Sequence, residues 1–239
     1  MGNFELISFA DDDALARAGA EEWLKELERA NRSGVPYCVA LSGGRIARRF
    51  FAAAADLAKG RGDLLRLVNF FWGDERCVPP TDPESNFALA NELLLVPLAV
   101  PGRQIHRVRG EEAPEVAAGE AERELRQVAP SEAGGQPVLD LVFLGLGEDG
   151  HVASLFPGEA AEVMASRAVY RPVTSVKPPP RRITLGYPAI AASQQVWVLA
   201  SGPGKAAALR ASLSPEGQTP LARVLRLRSH TRIFTDISG

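Results

Sequence analysis

Cysteine, charge of one sign and long apolar runs are all scarce in this 239-residue sequence. Its two cysteines, Cys38 and Cys77, form no C-x-x-C pair and no metal-ligand cluster, which predicts reduced thiols and no bound metal. Lysine and arginine number 27 against 29 aspartates and glutamates, a formal net charge of −2. A general nucleic-acid or anionic-membrane binder usually carries a basic excess, so we expect neither partner.

Membrane-spanning and targeting signals are also missing. No apolar run approaches the roughly 18 residues that cross a bilayer, and the longest, 93–100, is interrupted by Pro97. The N-terminal segment MGNFELISF lacks a basic region, so we expect no signal peptide and a cytoplasmic location. The apolar share of 46% and the charged share of 23% are typical of a globular chain. The length fits one domain over residues 1–239.

Strand and helix patterns alternate along the chain. Strands are predicted at 4–9, 36–41, 65–72, 139–144, 168–173, from 183, 196–200 and 231–235, and helices at 14–30, 45–59, 85–95, 112–128, 205–213 and 221–225. This order predicts a single-domain α/β fold with a mostly parallel, doubly wound sheet and helices on both faces. Ligands bind at the carboxyl ends of the strands in such sheets, so the residues that follow each strand are the candidates for function.

Two strand ends carry candidate anion ligands. Gly43 and Gly44 lead from a strand into a helix, where glycine lets backbone N–H groups approach a phosphate. The alternative is a tight turn with no ligand. Arg76 follows the next strand and could bind phosphate, with Asp74 or Glu75 holding it in place. The alternative here is a surface ion pair.

Three further side chains belong to the same set of candidates. Asn86 could point into a ligand site at the carboxyl ends of the strands, or it could only help to start its helix. Lys205 stands near a predicted helix N-terminus, an unfavourable place for a cation unless an anion is bound there. Arg182 directly precedes a strand and is either a ligand or an exposed arginine.

A glycine-rich segment follows the strand at 139–144. Gly145, Gly147 and Gly150 satisfy the G-x-G-x-x-G pattern of dinucleotide-binding proteins. That interpretation requires a helix to open at this point, and the Phe-Pro-Gly sequence at 156–158 argues against one. The segment therefore predicts a loop rather than a cofactor site, and we expect no cofactor.

His151 ends this loop and has Asp149 two residues before it. A carboxylate beside an imidazole can orient it, select its tautomer and raise its basicity, as general base catalysis requires. A buried structural histidine is the alternative. The other two histidines, His106 and His230, lie in polar segments and are predicted to be surface residues.

These segments together resemble the 6-phosphogluconolactonases of the glucosamine-6-phosphate isomerase/6-phosphogluconolactonase family. The resemblance runs from about Phe4 to Phe234 and depends on four sequences in this order: FWGDERCVP at 71–79 with Ser85-Asn86, GLGEDGHVASLFPG at 145–158, RITL at 182–185 and GPGK at 202–205. It implies an enzyme that hydrolyses 6-phospho-D-glucono-1,5-lactone in the pentose phosphate pathway without a metal or cofactor. It also implies that His151 is the general base and Asp149 its partner. Substrate or phosphate contacts are implied at Gly43, Gly44, Arg45, Asp74, Arg76, Asn86, Arg182 and Lys205.

The chain departs from the family pattern after Gly44. Ser-Thr-Pro usually follows the two glycines, whereas Arg45-Ile46-Ala47 stands here. Arg45 either replaces the lost hydroxyl donors as a phosphate ligand or weakens the site. Gly186 also stands where threonine is common.

Two other functions are compatible with parts of the pattern. An amino-sugar-phosphate isomerase or deaminase carries a similar histidine loop, but that loop continues towards Asn-Glu-Pro instead of the Ser154-Leu155-Phe156-Pro157 found here. Such an enzyme also needs a carboxylate base that the sequence does not identify. A non-catalytic sugar-phosphate-binding protein would keep the anion cradle and typically add a DNA-reading module, for which the sequence has no evident segment.

Overall fold

A computed structural model describes residues 3–131 and 135–237 of the chain. Met1 and Gly2, which belong to the N-terminal segment considered above, lie outside the described residues. Within the described ranges, no helix combines the length and the apolar character that crossing a membrane requires.

Six strands form one parallel sheet, in the order β1-β9-β8-β5-β2-β3. They are β1 (Glu5–Ser8), β2 (Tyr37–Leu41), β3 (Val68–Trp72), β5 (Leu141–Gly145), β8 (Gln195–Ala200) and β9 (Arg232–Thr235). All five residues of β2 are buried, as expected of a central parallel strand that is covered on both faces. The prediction of a mostly parallel α/β fold is confirmed.

The helices are α1 (Asp12–Ser33), α2 (Arg45–Ala58), α3 (Asn86–Ala90), α4 (Pro114–Val128), α5 (Ala161–Met164), α6 (Tyr187–Ala192), α7 (Ala206–Leu213) and α8 (Pro220–Leu227). The helix predicted over 85–95 is divided, because α3 passes into a π-helical turn over Asn91–Leu95. The short helices α5 and α6 have no counterparts among the predicted helices. Helices α1 and α2 pack together on the sheet, where Trp23 contacts Phe50 and Phe143 at ring-centroid distances of 5.7 and 5.8 Å.

The remaining three strands form a separate antiparallel sheet in the order β4-β7-β6. They are β4 (Asp74–Arg76), β6 (Tyr170–Thr174) and β7 (Arg181–Leu185). The sequence patterns predict no strand over 74–76, yet the segment is a strand, because the chain leaves the parallel sheet at Gly73 and pairs with β7. Strands β6 and β7 are joined by a short turn, which permits antiparallel pairing but is too short for a parallel crossover.

The strand order places a topological switch point between β2 and β5. From β2 the chain continues to β3 on one side, and from β5 it continues to β8 on the other. A crevice opens at the carboxyl ends of two strands where the chain leaves them in opposite directions. The loops at 42–44 and 146–151 leave β2 and β5 at this crevice.

Candidate active site

A cleft of about 280 Å³ lies at the switch point. Nine of the ten candidate residues line it, namely Gly43, Gly44, Arg45, Asp74, Arg76, Asn86, His151, Arg182 and Lys205. The tenth, Asp149, contacts the cleft-lining His151. The cleft draws on both sheets, because β4 and β7 of the smaller sheet contribute Asp74, Arg76 and Arg182.

The Asp149 carboxylate and the His151 imidazole form a close pair. Asp149 Oδ1 lies 2.5 Å from His151 Nδ1 and also accepts the backbone N–H of His151 at 3.2 Å. A carboxylate at Nδ1 holds the proton on that nitrogen and leaves the lone pair on Nε2. The turn at 146–150 does not open a helix, and the prediction of a loop there is confirmed.

The surroundings of this pair favour the charged carboxylate and the neutral imidazole. Burial lowers the pKa of His151 below its ordinary value of 6.5; Asp149 opposes this shift and Lys177 adds to it. Burial raises the pKa of Asp149, but hydrogen bonds from Lys177 and His151 outweigh that effect and hold it well below its usual range. The imidazole is therefore available to accept a proton at neutral pH.

Lys177 is a cleft residue that the sequence analysis missed. Its Nζ lies 2.8 Å from Asp149 Oδ2 and 3.5 Å from His151 Nδ1. Lys177 belongs to the turn between β6 and β7, 26 residues from His151 along the chain. The only local signal is its position before the three prolines 178–180, and nothing in that pattern points to the histidine loop.

A buried hydrogen-bond network joins β4 to α3 beneath the cleft. Ser154 Oγ donates to Asp74 Oδ2 at 2.7 Å, and Asn86 Nδ2 donates to the Asp74 carbonyl and to Oδ1 at 2.9 and 3.2 Å. Asn86 therefore both begins α3 and reaches the cleft. A Cβ atom on Gly43 would lie 1.8 Å from Asn86 Oδ1, so the approach of these two segments requires glycine at this position.

Glu75 holds the start of α3. Its carboxylate accepts the backbone N–H groups of Arg76, Asn86 and Phe87 and the Ser85 hydroxyl at 2.7–3.0 Å. Burial raises its pKa to about 7 against the effect of these four donors. The expected ion pair from Asp74 or Glu75 to the Arg76 guanidinium is wrong, because both carboxylates face other donors.

The Arg76 and Arg182 side chains line the cleft and are held by other groups. Arg76 Nη1 donates to the Glu84 carbonyl at 2.7 Å. Arg182 donates to the carbonyls of Pro179, Pro178 and Lys177 at 3.0, 3.2 and 3.4 Å, and it stacks 5.6 Å from the Phe156 ring. Arg182 is thus buried rather than exposed, and it fastens the turn that carries Lys177.

Arg45 and Lys205 both line the cleft, and their charges interact. Arg45 begins α2, directly after Gly44, whose φ of 95° favours glycine. Lys205 ends the 3₁₀ turn Pro203–Lys205 before α7, so it precedes the helix it was predicted to begin. Burial lowers the Lys205 pKa, and the charge of Arg45 lowers it further. Two cations that repel one another at a cleft favour binding of an anion between them.

The other two histidines differ in their surroundings. His230 is 61% exposed, as predicted. The surface prediction is wrong for His106, whose ring stacks on Phe71 at 4.6 Å and whose Nε2 lies 3.1 Å from Asn69 Oδ1. The polar residues around His106 in the sequence conceal its position against the sheet.

Fold and cleft together define a class of protein: a doubly wound α/β protein with a histidine–carboxylate pair and several cations at its switch point. Within the described residues, no group of three or more His, Cys, Asp or Glu side chains is arranged to hold a metal ion. A family model described as glucosamine-6-phosphate isomerases/6-phosphogluconolactonase matches residues 10–234. The chain belongs to this family, which confirms the resemblance found in the sequence.

Individual relatives and solved structures agree with this assignment. The chain is 35% identical to a 6-phosphogluconolactonase of Streptomyces coelicolor over 221 residues, covering 90% of this chain and 84% of the relative. It is 36% identical to that of Mycobacterium tuberculosis over 216 residues, covering 86% and 84%. The structure of 6-phosphogluconolactonase from Trypanosoma brucei superposes with a TM-score of 0.83 at 28% identity, covering 98% and 96%. A monomeric glucosamine-6-phosphate deaminase, at 18% identity and a TM-score of 0.78 over 97% and 96%, shares the fold.

Proposed function

We propose that this chain, as one domain, hydrolyses 6-phospho-D-glucono-1,5-lactone to 6-phospho-D-gluconate in the oxidative pentose phosphate pathway. The observation that carries the proposal is the Asp149–His151 pair, joined at 2.5 Å, in a cleft that Arg45, Arg76, Arg182 and Lys205 also line. A general base and a set of cations are what a neutral ester with a distant phosphate requires. The 6-phosphogluconolactonases among its relatives support the same substrate.

The reaction needs one base that later acts as an acid. His151 Nε2 takes a proton from water, whose oxygen forms a bond to the lactone carbonyl carbon. The tetrahedral intermediate then breaks the bond from this carbon to the ring oxygen, and the imidazolium returns its proton to that oxygen. Asp149 keeps the other proton on Nδ1 and stabilises the transient imidazolium. An arginine of the cleft meets the negative charge on the former carbonyl oxygen.

The phosphate supplies binding energy at a distance from the reacting carbon. The backbone N–H groups after Gly43 and Gly44 and the side chains of Arg45 and Lys205 form its site. Arg76, Arg182 and Asn86, which line the same cleft, contact the sugar oxygens. Asp74 acts through Asn86 and Ser154, which it holds in place by hydrogen bonds.

The isomerase or deaminase alternative is less well supported by the surroundings of Asp74, the buried carboxylate of the cleft. Proton abstraction from a sugar carbon needs a carboxylate that is free to reach it. Asp74 is 4% exposed, and both of its oxygens accept hydrogen bonds from Asn86 and Ser154. Its environment is that of a structural acceptor.

Product formation from each candidate substrate tests the proposal. The lactone is generated in the cuvette, and 6-phosphogluconate is followed through a coupled dehydrogenase after subtraction of spontaneous hydrolysis. We expect strong acceleration of lactone opening and no ammonia from glucosamine 6-phosphate. Binding of the lactone without acceleration would instead identify a sugar-phosphate-binding protein.

The pH dependence of kcat/KM follows from the lowered pKa of His151. Only the neutral imidazole accepts a proton, so kcat/KM falls as the pH drops through the pKa that His151 has in the folded protein. We expect the midpoint of this acidic limb below 6.5, the ordinary histidine value. Initial rates in buffers of constant ionic strength measure it. A midpoint at or above the ordinary value contradicts the assignment of His151 as the base.

Removing the positive charge at position 205 is expected to weaken substrate binding. Lys205→Met loses one charge-assisted contact to phosphate, typically about 1.5 kcal/mol or more, which raises KM by roughly tenfold. The value of kcat changes little, because the reacting carbon is remote. Lys25→Met is a matched control on the surface of α1, where the lysine pairs with Glu22. A fall in kcat with unchanged KM would argue against a phosphate contact.

A further inference from the structure

Lys177 contacts both members of the Asp149–His151 pair. Its ammonium group lies 2.8 Å from Asp149 Oδ2, the oxygen that His151 does not use, and 3.5 Å from His151 Nδ1. The two carboxylate oxygens are thus divided between two partners, Oδ1 to the imidazole and Oδ2 to the lysine. Because the side chain is 41% exposed, it reaches the pair from the mouth of the cleft rather than from the core.

The turn that carries Lys177 is anchored at several points. The Ser175 N–H donates to the Pro180 carbonyl at 2.7 Å, and the Lys177 N–H donates to Ser175 Oγ at 2.9 Å. The Arg182 guanidinium donates to the carbonyls of Lys177, Pro178 and Pro179. The neighbouring Val176 side chain is fully exposed, so the turn is held through its backbone. This anchoring fixes the point from which Lys177 extends.

We propose that Lys177 is a positioning residue that holds Asp149 against His151 and, by its charge, opposes protonation of the imidazole. The inference rests on the proposed function for its kinetic consequence, although not for the electrostatic coupling itself. An ammonium group close to Nδ1 makes a second positive charge on the ring unfavourable. The imidazole consequently remains a neutral base to lower pH than Asp149 alone would allow.

Other charges that face the imidazole come from different elements. Asp149 of its own loop and Asp74 of β4 favour the protonated ring, whereas Lys177 from the β6–β7 turn opposes it. The remaining charged side chains that line the cleft are Arg45, Arg76, Glu148, Arg182 and Lys205. Lys177 differs from these in touching Asp149 and His151 directly, so its removal tests the coupling most cleanly.

Lys177→Met tests the proposal, and Lys177→Arg restores the charge. The titration of the His151 ring is followed by NMR with isotope-labelled histidine, using His151→Ala to assign the signal, and kcat and KM are measured across pH. In Lys177→Met we expect the His151 midpoint and the acidic limb of kcat/KM to move together to higher pH. At the pH optimum kcat falls several-fold and KM is unchanged. In Lys177→Arg both midpoints lie close to those of the unmodified protein.

Two variants of the same hairpin serve as controls. Arg181→Met removes an equal charge from an exposed position in β7, and Val176→Ser alters the adjacent exposed side chain. Neither should move the His151 midpoint. If Arg181→Met moves the His151 midpoint as far as Lys177→Met does, the shift reports general surface charge and the proposal is overturned.

An unchanged His151 midpoint in Lys177→Met would also overturn it. In particular, a lower kcat without that shift would mean that Lys177 contacts the substrate instead. If the unmodified protein fails to hydrolyse the lactone, the proposed function is wrong, yet the NMR titration still decides whether Lys177 controls His151. The two failures are therefore distinguishable.

Discussion

Replacing His151 with alanine is expected to lower kcat by roughly 10²–10⁴-fold, the usual contribution of a positioned general base. The KM should change little, because the phosphate contacts remain in place. The His151 side chain is 20% exposed at the cleft and packs 5.0 Å from the Phe156 ring, so its loss leaves the surrounding fold largely intact. The coupled assay for 6-phosphogluconate measures the effect once the spontaneous rate is subtracted.

His230→Ala provides the matched control. This histidine is 61% exposed and lies just before β9, so we expect kcat and KM to be unaltered. The acidic limb of the pH profile should also be retained in His230→Ala and disappear in His151→Ala. Turnover close to that of the unmodified protein in His151→Ala would refute the mechanism.

Gly147→Ala is expected to displace the imidazole without unfolding the protein. A Cβ at this position would lie 1.9 Å from His151 Nδ1 and 2.1 Å from Cε1. The obstacle is the end of a side chain, so the ring can swing away and the backbone can keep its course. A misplacement of about 1 Å in a reacting group can cost 10²-fold, and we expect a loss of kcat of about that size. Kinetics together with the His151 NMR signal measure it.

Gly119→Ala is the corresponding control. Gly119 lies within α4, and nothing stands within 4 Å of the position its Cβ would occupy. Alanine in a helix interior stabilises by roughly 0.5–1 kcal/mol relative to glycine, so thermal unfolding should shift upward while kcat is unchanged. Full activity in Gly147→Ala would show that the close approach of Gly147 and His151 is unnecessary.

Local sequence patterns predict the strands of the parallel sheet well. The segments 36–41 and 139–144 are short apolar runs bounded by proline or glycine, and both correspond to buried strands. Local patterns do not predict β4 of the antiparallel sheet. Asp74 to Arg76 are three consecutive charged residues with none of the apolar alternation of a strand, and only pairing with β7 makes them one.

In the candidate site, too, local contacts were predictable from the sequence and contacts between distant segments were not. His151 and Asp149 are two residues apart, so a local pattern suffices to pair them. Lys177 reaches the same pair from another sheet, and its neighbours in the sequence carry no sign of this contact. Glu75 is similar, because three of its four donors, Ser85, Asn86 and Phe87, lie at the start of α3, across a proline-rich loop.

The amino-acid sequence by itself determined the α/β class, the positions of the main strands along the chain, the family resemblance and the loops that meet at the carboxyl ends of β2 and β5. These features depend on periodicity and on short spacings, which act over a few residues. Only the tertiary structure showed that Asp74 and Glu75 hold Asn86 and the start of α3. It also showed that Arg182 donates to the backbone of the β6–β7 turn and that Lys177 contacts Asp149. Such contacts join segments that are distant along the chain, and their geometry exists only after both sheets have packed.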